Sequence, residues 1–128
     1  MNTYDEFMAS LAKLEGLGMK RLIVDLRENE GGILPIAIRM INEFLPEGKL
    51  ILYTQGKASP RMDYNSNGKG KYQQLPLTVL IDEASASASE IFAGAIQDND
   101  RGNIVGRRSF VKGWCRNKGC CRIIRLYD

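Results

Sequence analysis

Three short segments concentrate the residues that could do chemistry: Asp25-Leu26-Arg27-Glu28-Asn29-Glu30-Gly31-Gly32, Ser85-Ala86-Ser87-Ala88-Ser89-Glu90 and Ser109-Phe110-Val111-Lys112-Gly113. Paired glycines in the first let backbone approach a neighbour without a Cβ in the way. The second is a run of serines opening a predicted helix, where free N–H groups and the positive end of the dipole can stabilise a developing oxyanion. The third sets a lysine beside Phe110 and Val111, apolar neighbours of the kind that disfavour a charged amine. A serine hydroxyl is a poor nucleophile without a base. The chain has no histidine, which removes the Ser-His-Asp and Cys-His arrangements. A lysine can replace histidine only when uncharged, and lowering its pKa from about 10.4 to about 7 requires roughly 4–5 kcal/mol of differential destabilisation of the charged form.

Singly, each of these residues has an ordinary reading. Ser85 and Ser89 read as helix caps, and Ser87 alone would read as a cap or a small packing residue. Lys112 alone would be a solvated surface lysine, and Gly31-Gly32 an ordinary turn. Asp25 and Arg27 read as structural groups that orient the turn, and Glu90 as an acid placed to favour the helix N-terminus. Only the combination points to catalysis.

The elements that must position these segments alternate between helix and strand. Thr3 and Glu6 have capping-box spacing, so a helix is expected to start with Thr3 as its cap, carry Phe7, Met8, Leu11 and Leu14 on one side, and end at Gly16 and Gly18. Leu22-Ile23-Val24-Asp25-Leu26 reads as a buried strand. Asn29 to Gly32 is a turn, and Pro35 suits the first turn of a second helix whose buried side includes Ile38, Ile41, Phe44 and Leu45. Leu50 to Thr54 is the next strand. Residues 55–74, rich in Gly, Ser, Asn and Lys, read as a long exposed loop or a hairpin flap. Leu77 to Ile81 is a strand, Ala86 to Gln97 is a helix, and Asn103 to Gly106 contains a short strand. This alternation predicts an α/β layer structure with a mainly parallel sheet and right-handed crossovers.

Composition bounds the rest. At 128 residues and 44% hydrophobic, the chain suits one domain with a buried core. No apolar run approaches the ~20 residues that cross a bilayer, and Met1-Asn2-Thr3 leads straight into an amphipathic stretch rather than a secretory signal. The net charge is only +3, with the basic residues dispersed, so nucleic acid is not the expected partner. Cys115, Cys120 and Cys121 are an odd set and cannot all pair within one chain. With no histidine and only three thiols, a zinc site is not expected.

In this order and spacing, the three segments resemble the carboxyl-terminal processing peptidases, also called tail-specific proteases. The likeness runs from Leu22 to Gly113 and includes Ala93-Gly94-Ala95-Ile96-Gln97-Asp98-Asn99-Asp100-Arg101. The resemblance implies that Ser87, the middle serine of its run, is the nucleophile, and that Lys112, twenty-five positions on, is the base. It implies an oxyanion hole made by the backbone N–H groups of Ala88 and of the second glycine, Gly32. It also implies a crotonase/ClpP-like α/β core with a mainly parallel sheet and flanking helices, and no metal or nucleotide cofactor. The implied substrate is a protein or peptide, with exported proteins cleaved near their C-termini, and the implied location is the periplasm or cell envelope.

The sequence departs from the family's pattern in three places. Val111 stands where the family often has glycine. Arg116 stands where it has a glutamine, four residues after the lysine, thought to orient that lysine. Residues 114–128 match nothing expected of the family's continuation. This tail is read as a frameshift product: permitted codons for residues 113–128 can spell, in a shifted frame, Leu-Val-Gln-Glu-Gln-Gly-Met-Leu-Pro-Asp-Tyr-Ser-Ala-Leu-Arg, which resembles the family's continuation and restores the glutamine. Codons in the encoding DNA that cannot yield that reading would end the idea.

Family members also carry a PDZ domain and an earlier core strand before the point where this chain begins. The expectation is a truncated protease core over 1–113 with an atypical tail over 114–128, and weak or no peptidase activity. Missing strands should leave exposed sheet edges that pair with a second copy, giving a homo-oligomer. The alternative function is a non-catalytic peptide-binding or assembly module, a pseudo-protease. Acyl-CoA chemistry on the same scaffold rests on fold analogy alone, and the serine–lysine pairing argues against it.

Overall fold

A computed structural model describes residues 2–110 and the backbone of Arg125–Leu126. The element order is α1 (Thr3–Gly16), β1 (Leu22–Asp25), α2 (Leu34–Asn42), β2 (Leu50–Thr54), β3 (Met62–Asn65), β4 (Leu77–Ile81), α3 (Ala88–Asp98), β5 (Asn103–Gly106) and β6 (Arg125–Leu126). The expected α/β architecture is present, with parallel pairing and flanking helices.

Several local expectations shift by a residue or more. Asn2, not Thr3, caps α1: its side chain accepts the Asp5 N–H at 3.0 Å while the Asp5 carboxylate accepts the Asn2 N–H. An Asn-x-x-Asp pair one residue earlier thus outcompetes the Thr-x-x-Glu pair for the same orphan donors. Pro35 sits in the first turn of α2, where its missing N–H costs nothing. That helix ends at Asn42, and Phe44 and Leu45 follow it fully buried in a turn.

The strands divide into two three-stranded sheets, ordered β1-β4-β5 and β3-β2-β6, rather than joining one. The first is parallel throughout, with Leu22 opposite Leu77 and Thr78 opposite Asn103. In the second, β2 pairs antiparallel with β3 and parallel with β6. Residues 55–74 therefore contain a hairpin arm. Local closure of β3 on β2 needs a loop of a few residues only, so it costs little chain entropy.

Alternation along β1 turns Leu22 and Val24 into the core and leaves Ile23 63% exposed. Val79, Ile96, Ile41, Leu45 and Leu52 complete a core centred on Phe44. The Phe44 ring meets Phe7 and Phe92 edge-on, with centroids 6.1 and 6.0 Å away, arrangements favoured by the ring quadrupoles. Arg101 ties this centre to its surroundings by donating to the carbonyls of Phe44, Tyr72 and Leu75.

One consequence of the parallel sheet governs the site. Because β1, β4 and β5 run the same way side by side, the segments that follow them leave the sheet at one edge. Those segments are the glycine turn after Asp25, the serine run after Ile81 and the stretch 107–110 after Gly106. Crevices at the carboxyl ends of parallel strands are where α/β sheets build binding sites.

Candidate active site

At the end of β4, Asp82 makes the first turn. Its carboxylate accepts the N–H groups of Ala84 and Ser85 at 3.0 and 3.2 Å and, across the site, the N–H of Glu28 at 3.0 Å. The Glu28 N–H, foremost, and then the Ala84 and Ser85 donors hold the Asp82 carboxyl below the ordinary carboxylate range, against the opposing effect of desolvation. Glu28 itself lies at φ 58°, a left-handed conformation that this long-range bond helps to hold. In the same strand–turn, the exposed Asp25 carboxyl is lowered to about 2 by its two-pronged pairing with Arg27 and by the Arg27 N–H. That pair orients the turn, as the sequence suggested, and as an exposed pair it adds little stability.

The three serines have separate fates. Ser85 is fully buried; its hydroxyl donates to the Leu26 carbonyl at 2.6 Å and accepts the Asp82 N–H at 3.0 Å. Ser89 donates to the Asn29 side-chain oxygen at 2.7 Å. Neither is the helix cap that the sequence suggested: both hydroxyls are drawn to acceptors from the first strand–turn segment, which lies remote in sequence. Ser87 occupies the N-cap position of α3 and is exposed. Its backbone stands at φ 54°, ψ −120°, a region that L-residues seldom occupy and that costs about 1–3 kcal/mol.

The glycine turn lies against this strained residue. A Cβ on Gly31, at φ +95°, would meet Ala86 O at 2.6 Å, Ala88 N at 2.7 Å and Ser87 Cβ at 2.9 Å. Only glycine allows that approach. Asn29 fixes the turn from within, its side chain accepting the Gly31 N–H at 2.9 Å and its carbonyl accepting the Ala86 N–H at 3.1 Å. The Gly31 N–H is thereby used. Among the described residues, neither the Gly32 N–H nor the Ala88 N–H has a protein acceptor. Gly32 has open space where a Cβ would stand.

Glu90, in the first turn of α3, accepts the Ser87 N–H at 3.0 Å and the Ser109 hydroxyl at 2.8 Å. Phe110 donates its N–H to the Ser85 carbonyl at 3.0 Å. The stretch 107–110 is thus fastened to the start of α3 at two points. Lys112 lies outside the described residues, as do Val111, Gly113, Arg116 and the three cysteines.

The sequence reading singled out Ser87, Ala88 and Gly32, and all three belong to turns that pack together. It missed the polar frame of Asn29, Asp82 and Ser85. The Asp82-x-x-Ser85 spacing and an asparagine just before the glycines were the available signals.

Fold and turns define a class: an α/β protein that presents a strained serine at a helix start against a glycine turn. The chain belongs to peptidase family S41, whose model matches residues 1–118. It is 40% identical over 112 residues to a carboxyl-terminal-processing protease of Synechocystis sp., a match covering 88% of this chain and 26% of that protein. It is 32% identical over 113 residues to a probable CtpA-like serine protease of Staphylococcus aureus, covering 88% of this chain and 23% of that one. Among solved structures, it is similar to a photosystem II D1 C-terminal processing protease, with a TM-score of 0.76 and 30% identity over 85% of this chain and 28% of that chain. A putative peptidase from Parabacteroides merdae shares the fold at a TM-score of 0.71 and 24% identity, over 86% of this chain and 37% of that one. The chain spans about a quarter of the length of the curated relatives it matches.

Proposed function

We propose that this chain is core sequence of a serine endopeptidase of the C-terminal processing type, with Ser87 as nucleophile and Lys112 as base. The observation that supports this most is the strained backbone of the exposed Ser87 beside two N–H groups that have no acceptor among the described residues, those of Ala88 and Gly32. Strain of this kind persists where function requires it. In this reading Ser87 Oγ attacks the scissile carbonyl carbon and its proton passes to the neutral amine of Lys112. The carbonyl oxygen becomes an oxyanion held by the Gly32 and Ala88 N–H groups. Collapse expels the amine, which takes the proton back from Lys112, and water hydrolyses the acyl-enzyme by the same route. The substrates are exported proteins, cut near their C-termini outside the cytoplasm.

The 128-residue chain itself turns over weakly or not at all. A serine-directed fluorophosphonate probe tests the reading: Ser87 is labelled, and Ser87→Ala abolishes the label. Labelling at another serine, with Ser87 untouched, would sink it.

A second reading, a peptide-binding module without turnover, is favoured by Arg116 in the place of the family's orienting glutamine. It is distinguished by peptide binding with no labelling of Ser87. We also propose self-association. Among the described residues, strands β1 and β5 are the two edges of the parallel sheet, and Ile23 and Val105 stand 63% and 51% exposed on it. Such an edge pairs readily with a second chain. A clean monomer in analytical ultracentrifugation would count against it.

A further inference from the structure

We propose that Glu90 is a positioning residue, whose single carboxylate couples the backbone of the nucleophile turn to the chain segment leading to Lys112. The proposal rests on the Ser87–Lys112 reading above and adds to it the device that sets one group relative to the other.

The two catalytic candidates lie on separate elements, the N-terminus of α3 and the stretch after β5. The Glu90 carboxylate touches both. Glu90 Oε2 accepts the Ser87 N–H at 3.0 Å, and Glu90 Oε1 accepts the Ser109 hydroxyl at 2.8 Å. Ser109 stands three residues before Lys112. The neighbouring Phe110 N–H reaches the Ser85 carbonyl at 3.0 Å, next to the same turn.

An ionised carboxylate is the side chain suited to this task. It has two acceptor oxygens in one rigid plane and can serve both donors at once. Hydrogen bonds to a charged acceptor are also stronger than neutral ones. The Ser87 N–H bond braces a residue held at φ 54°, so the carboxylate supports the strained backbone as well as the approach of the second element. Glutamine keeps one acceptor oxygen and presents an N–H2 at the other, so it can accept from only one partner and must replace the other charged contact with a weaker neutral bond of reversed direction. Glu90 touches no reacting atom in this scheme; it acts through Ser87 and Ser109.

Amide hydrogen exchange, read at single residues on the full 128-residue chain, tests the coupling without needing activity. In Glu90→Ala, exchange at both Ser87 and Phe110 is expected to rise about tenfold. In Ser109→Ala only Phe110 should respond, and Ser109→Thr should restore its protection. Unchanged protection at Phe110 in Glu90→Ala overturns the coupling. Exchange in α1 serves as the control for folding, and where Glu90→Ala loses that protection too, Ser109→Ala decides.

Fluorophosphonate labelling of Ser87 then reads the consequence. Glu90→Gln and Ser109→Ala are expected to label about tenfold more slowly, with the pH midpoint of labelling displaced upward from wild type. Wild-type rates and midpoint in both variants would overturn the positioning role while leaving Ser87 as nucleophile. No labelling of wild type would instead defeat the Ser87–Lys112 reading and the catalytic part of the role with it, leaving exchange to decide the coupling alone.

Discussion

Asn29 holds Ser89 through its side-chain oxygen at 2.7 Å, and the same oxygen accepts the Gly31 N–H at 2.9 Å. One acceptor therefore joins the glycine turn to the first turn of α3, sixty residues away. The two N–H groups proposed for the oxyanion, Gly32 and Ala88, belong to these two turns. Their spacing depends on a bond that neither of them makes.

This joint should be measurable as a coupling. Asn29→Ala and Ser89→Ala each remove a part-buried hydrogen bond and are expected to cost about 1–2 kcal/mol. Because they share that bond, the double variant should cost less than the sum by about 0.5–1 kcal/mol. Urea denaturation of the four proteins gives the cycle, and strict additivity would mean the contact is not formed in solution.

The two adjacent glycines should behave unequally. Gly31→Ala forces a Cβ to within 2.6 Å of Ala86 O and 2.7 Å of Ala88 N, at φ +95°. Both obstacles are backbone, so relief requires the turns to separate. An expected loss of about 2–3 kcal/mol follows from strain and displacement together. Gly32→Ala meets nothing within 4 Å and should stay within about 1 kcal/mol of wild type. Equal losses at the two positions would contradict the close approach of Gly31 to the serine turn.

How much of this was legible beforehand varies with the range of the interaction involved. The strands Leu50–Thr54, Leu77–Ile81 and Asn103–Gly106 are where apolar, branched runs bounded by turn residues put them. Strand β1 stops at Asp25 instead of Leu26, and α2 ends at Asn42, before Phe44 and Leu45, which were expected on its buried side. Boundaries are set by single hydrogen bonds that propensity does not resolve. Ser87, Ala88 and the glycines were visible as motifs. The different destinies of Ser85 and Ser89 were not, because each is decided by an acceptor, Leu26 O or Asn29 Oδ1, some sixty residues away. Division into two sheets was hidden for the same reason: the branched run of β2 fits either, and the hairpin partner settles it.

Asp82 should give the fold an acid-sensitive component. Its folded pKa lies below the ordinary 3.8, chiefly because it accepts the Glu28 N–H. A depressed carboxylate contributes stability that is fully present above the unfolded pKa and is lost as pH falls through the folded value. The stability gap between wild type and Asp82→Asn is therefore expected to be constant from about pH 7 to about pH 5 and to shrink below about pH 4. Urea midpoints across that range check it. A gap that widens on acidification would reverse the sign and remove Asp82 as the anchor of the Glu28 turn.

Ser87 should show the opposite relation between stability and chemistry. At φ 54°, ψ −120° its backbone is strained for any residue with a Cβ. Ser87→Ala deletes the hydroxyl and keeps the strain; Ser87→Gly deletes both. Glycine recovers about 1–3 kcal/mol of strain and gives back about 0.4–1 kcal/mol through the greater freedom of its unfolded chain. The glycine variant is therefore expected to be more stable than the alanine variant by about 1 kcal/mol, with neither accepting the fluorophosphonate. Comparing the two variants with each other removes the hydroxyl from the balance, so the difference reports backbone alone. If the alanine variant proves the more stable, the turn is relaxed and the argument from strain to function fails with it.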